Sequence, residues 1–229
     1  MKDFSLDDIK RIILLSLNLG PTGDSHIDLR FEQHRLKFGH HWPYYRTFYL
    51  LARELNPNLV VELGGWQGTA AAHFASGNPD SQVITIDHHT DPGDEYNQRL
   101  MVEAESHYPN LKYLQAWTTD ALAQSQYGKH ALGNAPSAYP DIVGLNMPID
   151  ILFIDSWHRY EQAMDDWNTY SQLLASPSLV ICDDIQEGGD EHSPIQGMYQ
   201  FWQELPGEKF LENRIHPSSQ MGFIKYANL

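Results

Sequence analysis

The stretch Glu62-Leu63-Gly64-Gly65-Trp66-Gln67-Gly68 decides the fold of this chain. It begins at the end of the apolar run at residues 58–63 and leads into an alanine-rich segment that starts at Thr69. A strand, a tight glycine turn and a helix in this order are typical of the first unit of a nucleotide-binding α/β sheet. Because glycine allows sharp turns and close approach of a ligand, the stretch predicts a binding site at the end of the first strand.

An acidic residue ends the second predicted strand. Asp87 lies 25 residues after Glu62 and ends the apolar run at residues 82–87. A carboxylate in this place can accept both hydroxyls of an adenosine ribose. A glycine turn or an acidic strand end is by itself an ordinary structural feature, but the two in this order favour a nucleoside site.

The details of the turn distinguish between nucleoside cofactors. A dinucleotide turn needs Gly-x-Gly-x-x-Gly, so that a pyrophosphate can lie on the helix N-terminus. Here Trp66 stands where the second glycine is required, and Gly68 comes one residue early for the third. The carboxylate of Glu62 would repel phosphate but could hold the ammonium of a methionine moiety. The turn therefore favours S-adenosylmethionine over NAD.

Apolar runs alternate with helical segments through the rest of the chain. This alternation predicts a doubly wound, Rossmann-like α/β fold with a mostly parallel sheet and helices on both faces. Two further runs near the end of the chain are close enough to pair as an antiparallel hairpin at the sheet edge. The predicted parallel strands are residues 58–63, 82–87, 111–116, 149–155 and 179–183, and the hairpin strands are 210–216 and 221–226.

One domain is predicted to cover residues 1–229, with an N-terminal helix and lid segment at 1–43 and the core at 44–229. Gly, Pro, Asp and His residues at 19–42 indicate a loop. In the helix that begins at Tyr160, the pattern predicts Met164, Trp167 and Leu174 inward and Asp165 and Asp166 outward. The predicted helices are 5–18 (capped by Ser5), 44–55, 69–75, 95–108, 160–174 and 195–205.

Composition argues against several classes of partner. The 229 residues are 41% hydrophobic and carry a formal net charge of −15, which repels phosphate backbones and anionic lipid surfaces. No run approaches the ~20 apolar residues of a membrane span, and the acidic N-terminus does not resemble a secretory signal. The single cysteine, Cys182, excludes an internal disulfide. We expect a cytoplasmic protein that binds neither nucleic acid nor membranes.

Three carboxylates follow two of the predicted strands. Asp155 ends one strand, and Asp183 and Asp184 end the next. If these strands are neighbours, their ends lie about 5 Å apart, and a cation is needed to offset the repulsion. All-oxygen ligands suit Mg²⁺ or another divalent cation. The alternative is that Asp184 caps the next segment and Asp183 is a solvated strand end.

A histidine lies three residues after the first of these carboxylates. His158 could remove a proton from a metal-bound hydroxyl near neutral pH. The pairs His40-His41 and His88-His89 have no metal partner at suitable spacing and are interpreted as ordinary residues.

Taken together, these motifs resemble the cation-dependent O-methyltransferases, such as the catechol and macrolide-sugar enzymes, over residues 44–226. The resemblance lies in the turn at 62–68, in Asp155-Ser156-Trp157-His158 and in Cys182-Asp183-Asp184. It implies that Asp155, Asp183 and Asp184 hold Mg²⁺ and that His158 is the catalytic base. The implied S-adenosylmethionine contacts are Glu62, Gly64, Gly65, Trp66, Gly68, Asp87 at the ribose, His88, Trp117, Asp155, and Trp157 against the adenine.

The resulting hypothesis is a Mg²⁺-dependent O-methyltransferase that acts on a small hydroxylated molecule. Catechol enzymes carry a lysine where His158 stands, which shifts the expected acceptor toward a sugar or another polyhydroxylated natural product. Acceptor specificity is expected in residues 19–43, 124–148 and 186–194. Alternatives are a non-catalytic binding or assembly protein with this fold and an NAD-dependent oxidoreductase. A homo-oligomer is compatible with the sequence.

Overall fold

The computed structural model describes residues 1–38, 44–89, 93–120, 136–185, 197–212 and 221–227. Among these residues, seven strands form one sheet in the order β3-β2-β1-β4-β5-β7-β6. Strands β1 to β5 run parallel, β7 is antiparallel to β5, and β6 is antiparallel to β7. The strands are β1 (Leu59–Leu63), β2 (Gln82–Asp87), β3 (Leu111–Gln115), β4 (Ile149–Ile154), β5 (Leu174–Cys182), β6 (Glu208–Glu212) and β7 (Met221–Tyr226).

This topology confirms the predicted doubly wound sheet with an antiparallel edge. Every residue of β1 and of β4 is buried, as expected for central strands that helices cover on both faces. Strand β1 pairs with β2 on one side and with β4 on the other. The strand order therefore reverses at β1, and ligands of such sheets bind in the crevice at the carboxyl ends of the strands next to this point.

Two apolar cores lie on the two faces of the sheet. One joins Phe48, Leu51 and Phe74 to Phe153 and Phe223. The other joins Leu152 and Val180 to Trp167, Tyr170 and Phe201. The described helices are α1 (Leu6–Ser16), α2 (Ser25–Phe38), α3 (Tyr44–Leu55), α4 (Thr69–Gly77), α5 (Glu95–His107), α6 (Tyr139–Gly144), α7 (Tyr160–Tyr170) and α8 (Met198–Glu204), with a 3₁₀ turn at Ser171–Leu173.

The first helix begins as the sequence predicts. The Asp8 N–H donates to the Ser5 hydroxyl at 3.2 Å, and the Ser5 N–H donates to the Asp8 carboxylate at 2.9 Å. This capping box satisfies backbone N–H groups that have no partner within the helix.

The prediction of a loop at residues 19–42 is wrong where α2 (Ser25–Phe38) forms a helix. The carboxylate of Asp24 accepts the N–H of His26 at 2.9 Å, which starts the helix. The other oxygen of Asp24 accepts the hydroxyls of Ser76 and Tyr108 from α4 and the end of α5. Because these partners are distant in the sequence, no local pattern indicates the helix.

Two further corrections concern the helices on the other face. The short helix α6 lies within the stretch 124–148, where the sequence analysis predicted no helix; residues 121–135 lie outside the described part of the chain. Asp166 was predicted to face outward, but it is fully buried. Asp166 accepts hydrogen bonds from Ser156 and Gln162, which compensate for the loss of hydration. Burial still raises its pKa to about 6.

Among the helices described, none combines the length and the apolar character that crossing a bilayer would need.

The contacts of α2 predict a pH-dependent stability. The ring of His26 stacks on His107 at 4.2 Å, and its Nε2 accepts the Nε–H of Arg30 at 2.8 Å. Burial and the Arg30 charge lower the pKa of His26 to about 4. The unfolded chain therefore binds a proton below about pH 6.5 that the folded chain does not, so stability falls as the pH drops from about 6.5 to 4.

His26→Gln keeps an acceptor for Arg30 but does not titrate. Between pH 6.5 and 4, its free energy of unfolding should therefore fall by about 1–2 kcal/mol less than that of the wild type, a figure that allows for the partial exposure of the ring. Urea unfolding at pH 4.5 and 7 measures the difference. Equal pH dependence of the two proteins would contradict the assignment.

Candidate functional site at the carboxyl edge of the sheet

The loops that follow β1, β2, β4 and β5 meet at one edge of the sheet. Strand β1 ends at Leu63, which lies in register with Ile86 of β2 and with Ile154 of β4. Ile154 is in turn paired with Cys182 of β5. The predicted cofactor and metal residues follow directly after these four positions, so the fold brings them to a common edge.

The glycine turn packs against the end of β4. Gly64 has φ +90°, and a Cβ atom on it would lie 2.1 Å from the carbonyl oxygen of Asp155. A Cβ atom on Gly65 would lie 2.2 Å from the Thr85 hydroxyl oxygen. The N–H groups of both glycines donate to the carbonyl of Ile86. Glycine is therefore required at position 64, where the close atoms belong to the backbone, whereas a side chain at position 65 would force Thr85 and Met101 to move. The turn joins three strand ends.

Glu62 carries a buried carboxyl group directly before this turn. Its residue exposure is 1%, and it accepts the Thr85 hydroxyl at 2.6 Å. Burial raises the pKa of Glu62 well above its ordinary value, and the hydrogen bonds from the Thr85 hydroxyl and the Ala71 backbone only partly oppose this. A cation placed beside the carboxylate would stabilise its charged form.

The Asp87 carboxylate lies at the end of β2, beside the turn. One of its oxygens accepts the N–H of Trp66 at 2.8 Å, and the other accepts the N–H of His89 at 3.3 Å. Its side chain is 18% exposed, so it remains accessible from the crevice. This is the position predicted for recognition of a ribose.

Two of the predicted cofactor residues contact each other. The rings of His88 and Trp117 stack with their centroids 4.2 Å apart. The Trp117 indole N–H is buried and finds no hydrogen-bond partner among the described residues, although buried donors are usually paired. Trp157, predicted to lie against adenine, is 42% exposed and stacks with the Arg159 guanidinium. Trp157 thus presents exposed aromatic surface, whereas Trp117 is buried, with 6% exposure.

The three predicted carboxylates lie around His158. Its Nε2 is 3.2 Å from Asp155 and its Nδ1 is 2.9 Å from Asp184. Burial disfavours the imidazolium, but the hydrogen bonds and charges of the two carboxylates dominate and raise the pKa of His158 to about 11. In this arrangement the ring is the cation of the cluster.

Asp183 is the most buried of the three carboxylates. Burial, followed by the charges of Asp155 and Asp184, raises its pKa well above the ordinary value. In the described part of the chain, no three His, Cys, Asp or Glu side chains have the arrangement of a metal site. The imidazolium of His158 lies between Asp155 and Asp184, where a cation would be expected. The Mg²⁺ site stays a prediction.

A cavity of about 380 Å³, including its open mouth, extends from the glycine turn to the carboxylates. Its lining includes Glu62, Trp66, Asp155 and Asp183. Another part of the lining was not predicted from the sequence. The helical pattern of α3 does not indicate which strand ends this helix covers. This part of the lining consists of Tyr44, Tyr45 and Phe48 of α3 with Met221 of β7.

Arg30 is a second residue that the sequence analysis missed, since it lies in the helix predicted as a loop. Its guanidinium donates to the carbonyl of Gln67 in the glycine turn at 2.8 Å and to that of Leu100 in α5 at 2.6 Å. Arg30 is 5% exposed. Helix α2 therefore supports the turn through the side chain of Arg30.

Several solved structures are similar to this chain over its whole length. The O-methyltransferase TomG of Streptomyces achromogenes, solved with S-adenosylmethionine, is 14% identical with a TM-score of 0.61, and the match covers 98% of this chain and 100% of TomG. The methyltransferase PaMTH1 of Podospora anserina, solved with S-adenosylhomocysteine, is 14% identical with a TM-score of 0.62, covering 100% and 99%. A putative caffeoyl-CoA O-methyltransferase of Staphylococcus aureus is 18% identical with a TM-score of 0.62, covering 96% and 99%. These similarities confirm the fold.

Sequence comparison identifies the family. An uncharacterized protein, R132, of Acanthamoeba polyphaga mimivirus is 24% identical over 128 residues, which are 56% of this chain and 51% of that protein. The match thus spans about half the length of this curated relative. The family model described as a methyltransferase domain matches residues 61–185, from the first strand to the carboxylates after β5. Because this match covers more than half of the chain, the chain belongs to the methyltransferase domain family.

Proposed function

We propose that this protein transfers the methyl group of S-adenosylmethionine to a hydroxyl oxygen of a small polyhydroxylated molecule, with the help of Mg²⁺ or another divalent cation. The observation that carries the proposal is the single cavity that extends from Glu62 and the glycine turn to Asp155 and Asp183. A methyl donor at one end and an acceptor at the other would meet within it. The family membership and the solved relatives support the same chemistry.

Each end of the cofactor would find a matching group on the turn. The buried carboxylate of Glu62 would gain a counter-charge from the ammonium of the methionine moiety, which offsets the penalty that raises its pKa. Asp87 would accept the ribose hydroxyls, and the aromatic surfaces of His88, Trp117 and Trp157 would contact the adenine. The indole of Trp66 at the turn disfavours a pyrophosphate and hence NAD.

Replacing Asp87 tests the cofactor assignment. Asp87→Ala should weaken S-adenosylmethionine binding by about 1–3 kcal/mol, because charge-assisted hydrogen bonds are lost. Isothermal calorimetry with S-adenosylmethionine and with NAD measures this, and Glu204→Gln on the exposed side of α8 is a surface control. Unchanged affinity in Asp87→Ala would reject the ribose assignment. Binding of NAD in place of S-adenosylmethionine by the wild type would reject the proposed function.

The carboxylates fit a hard divalent cation by their chemistry. Asp155, Asp183 and Asp184 offer only oxygen donors, and the charges of Asp155 and Asp184 help to raise the pKa of Asp183. When bound, the cation would supply Lewis acidity that lowers the pKa of an acceptor hydroxyl. A cation on these carboxylates would also replace the positive charge that His158 now provides.

Removal of the metal tests this part of the proposal. Excess chelator should abolish methyl transfer and added Mg²⁺ should restore it. Asp183→Asn should lower the apparent Mg²⁺ affinity at least about tenfold, because one anionic ligand is lost. The readout is formation of S-adenosylhomocysteine across a panel of sugars and other polyhydroxylated acceptors, with catechols included. Full activity of metal-free protein would exclude the cation from the reaction.

His158 would take the proton of the acceptor hydroxyl. S-adenosylmethionine, held by Glu62 and Asp87, would supply the methyl group to the acceptor oxygen as its carbon–sulfur bond breaks, and S-adenosylhomocysteine would be released as the thioether. For this step the ring must be neutral, so the negative charges of Asp155 and Asp184 must be compensated by something other than the imidazolium. The base role and the metal site therefore depend on each other.

His158→Ala should lower kcat by roughly 10²–10⁴-fold while S-adenosylmethionine affinity stays near the wild-type value. His107→Ala, an exposed histidine on α5, is the control and should keep wild-type turnover. Steady-state kinetics and calorimetry give the two readouts. A kcat for His158→Ala within about threefold of wild type, a change of under ~0.7 kcal/mol, would remove His158 from the mechanism.

A further inference from the structure

His89 is a buried residue to which the mechanism above assigns no role. Its side chain is 1% exposed and lies beside the glycine turn. One ring nitrogen, Nε2, is 2.6 Å from the carbonyl oxygen of Trp66, and the other, Nδ1, is 2.7 Å from the hydroxyl of Tyr113 in β3. The sequence pattern did not distinguish His89 from a solvent-exposed loop histidine.

The contact with Trp66 determines which ring nitrogen donates to the turn. A carbonyl oxygen can only accept, so Nε2 must carry the hydrogen that is donated to Trp66. The Tyr113 hydroxyl lies 2.7 Å from Nδ1 and 3.3 Å from the backbone carbonyl oxygen of Asp87, so it connects the ring to the end of β2. Both ring nitrogens of His89 are therefore satisfied within the protein, and the ring is held in one orientation.

The residues that His89 joins have an unfavourable backbone conformation. Trp66 has φ +44° and His89 has φ +42°, in the left-handed region that residues with a bulky side chain rarely adopt. Such a conformation persists where surrounding contacts impose it. The N–H groups of Trp66 and His89 both donate to the Asp87 carboxylate, while the His89 ring holds the Trp66 carbonyl. We call this closed set of contacts among Trp66, Asp87 and His89 the turn clasp.

The turn clasp ties the loop after β1 to the loop after β2. It orients the Asp87 carboxylate through both of its oxygens, and it holds Trp66 at the position where a dinucleotide turn would carry glycine. A ligand that uses Asp87 therefore meets a carboxylate whose direction is already determined. If His89 were absent, Trp66 could relax toward an ordinary conformation, and its N–H would leave Asp87.

We propose that His89 is a positioning residue of the cofactor site, which acts through Trp66 and Asp87 to keep the ribose-binding carboxylate in its binding orientation. The inference rests on the proposed cofactor function. It adds a specific consequence: loss of the His89 ring should impair cofactor binding, whereas the methyl-transfer centre at Asp155 and His158 should be unaffected.

His89→Phe tests the proposal, because the ring volume is kept while both hydrogen bonds are lost. S-adenosylhomocysteine affinity, measured by calorimetry, should fall by about tenfold or more, as expected when a buried carbonyl loses its donor. The KM for S-adenosylmethionine should rise, and kcat should stay within about twofold of wild type. His89→Gln, whose amide can still donate, should recover part of the affinity.

The matched control is Ser16→Ala, which removes two buried hydrogen bonds, those of the Ser16 hydroxyl with the Ile13 carbonyl and with Thr47, between α1 and α3. It should reduce stability without changing S-adenosylhomocysteine affinity. A second test uses Trp66→Gly, because glycine adopts positive φ without steric cost. In that background, His89→Phe should have a clearly smaller effect on affinity than in the wild-type background.

Equal affinity of His89→Phe and Ser16→Ala would overturn the proposal, and so would an undiminished effect of His89→Phe in the Trp66→Gly background. If His89→Phe does not fold, Tyr113→Phe removes the hydroxyl that contacts Nδ1 of His89 and the Asp87 carbonyl, and it should weaken binding about threefold. Unchanged affinity in that variant would also overturn the proposal. Failure of the wild type to bind S-adenosylhomocysteine would instead reject the proposed function.

Discussion

The glycine turn and the end of β4 lie so close together that this contact constrains the geometry of the site. Gly64 lies so near the main chain of Asp155 that a single methyl group in its place would overlap the carbonyl oxygen. This contact places the glycine turn after β1 beside Asp155, the carboxylate that follows β4. The cavity, the carboxylate cluster and the reversal of strand order all depend on the close approach of these two strand ends.

Charge balance is the second organising feature of the site. The whole chain carries a net charge of −15. Five of its acidic side chains lie together at the edge of the sheet: Glu62, Asp87 and the three carboxylates around His158. Burial raises the pKa of Glu62 and of Asp183, because neither has a full counter-charge. Both ends of the cavity therefore favour a positively charged ligand group.

The site is also supported from outside the crevice. The carbonyls of two consecutive turn residues, Trp66 and Gln67, accept hydrogen bonds from the buried side chains of His89 and Arg30. One support comes from the loop after β2 and the other from α2. A turn held on both sides loses little conformational freedom when a ligand binds, and this preorganisation favours affinity.

Local patterns in the sequence predict the parallel sheet, its antiparallel edge, the glycine turn and the strand-end positions of Asp87, Asp155, Asp183 and Asp184, because apolar periodicity and glycine spacing are local properties. The folded chain was needed to see that α2 is a helix, that Asp166 is buried and that Tyr44 and Tyr45 line the cavity. It also placed His158 between two carboxylates and His89 beneath the turn. Each of these features depends on partners far away in the chain, such as Ser76 and Tyr108 for Asp24, and no pattern within a single segment can encode such a partner.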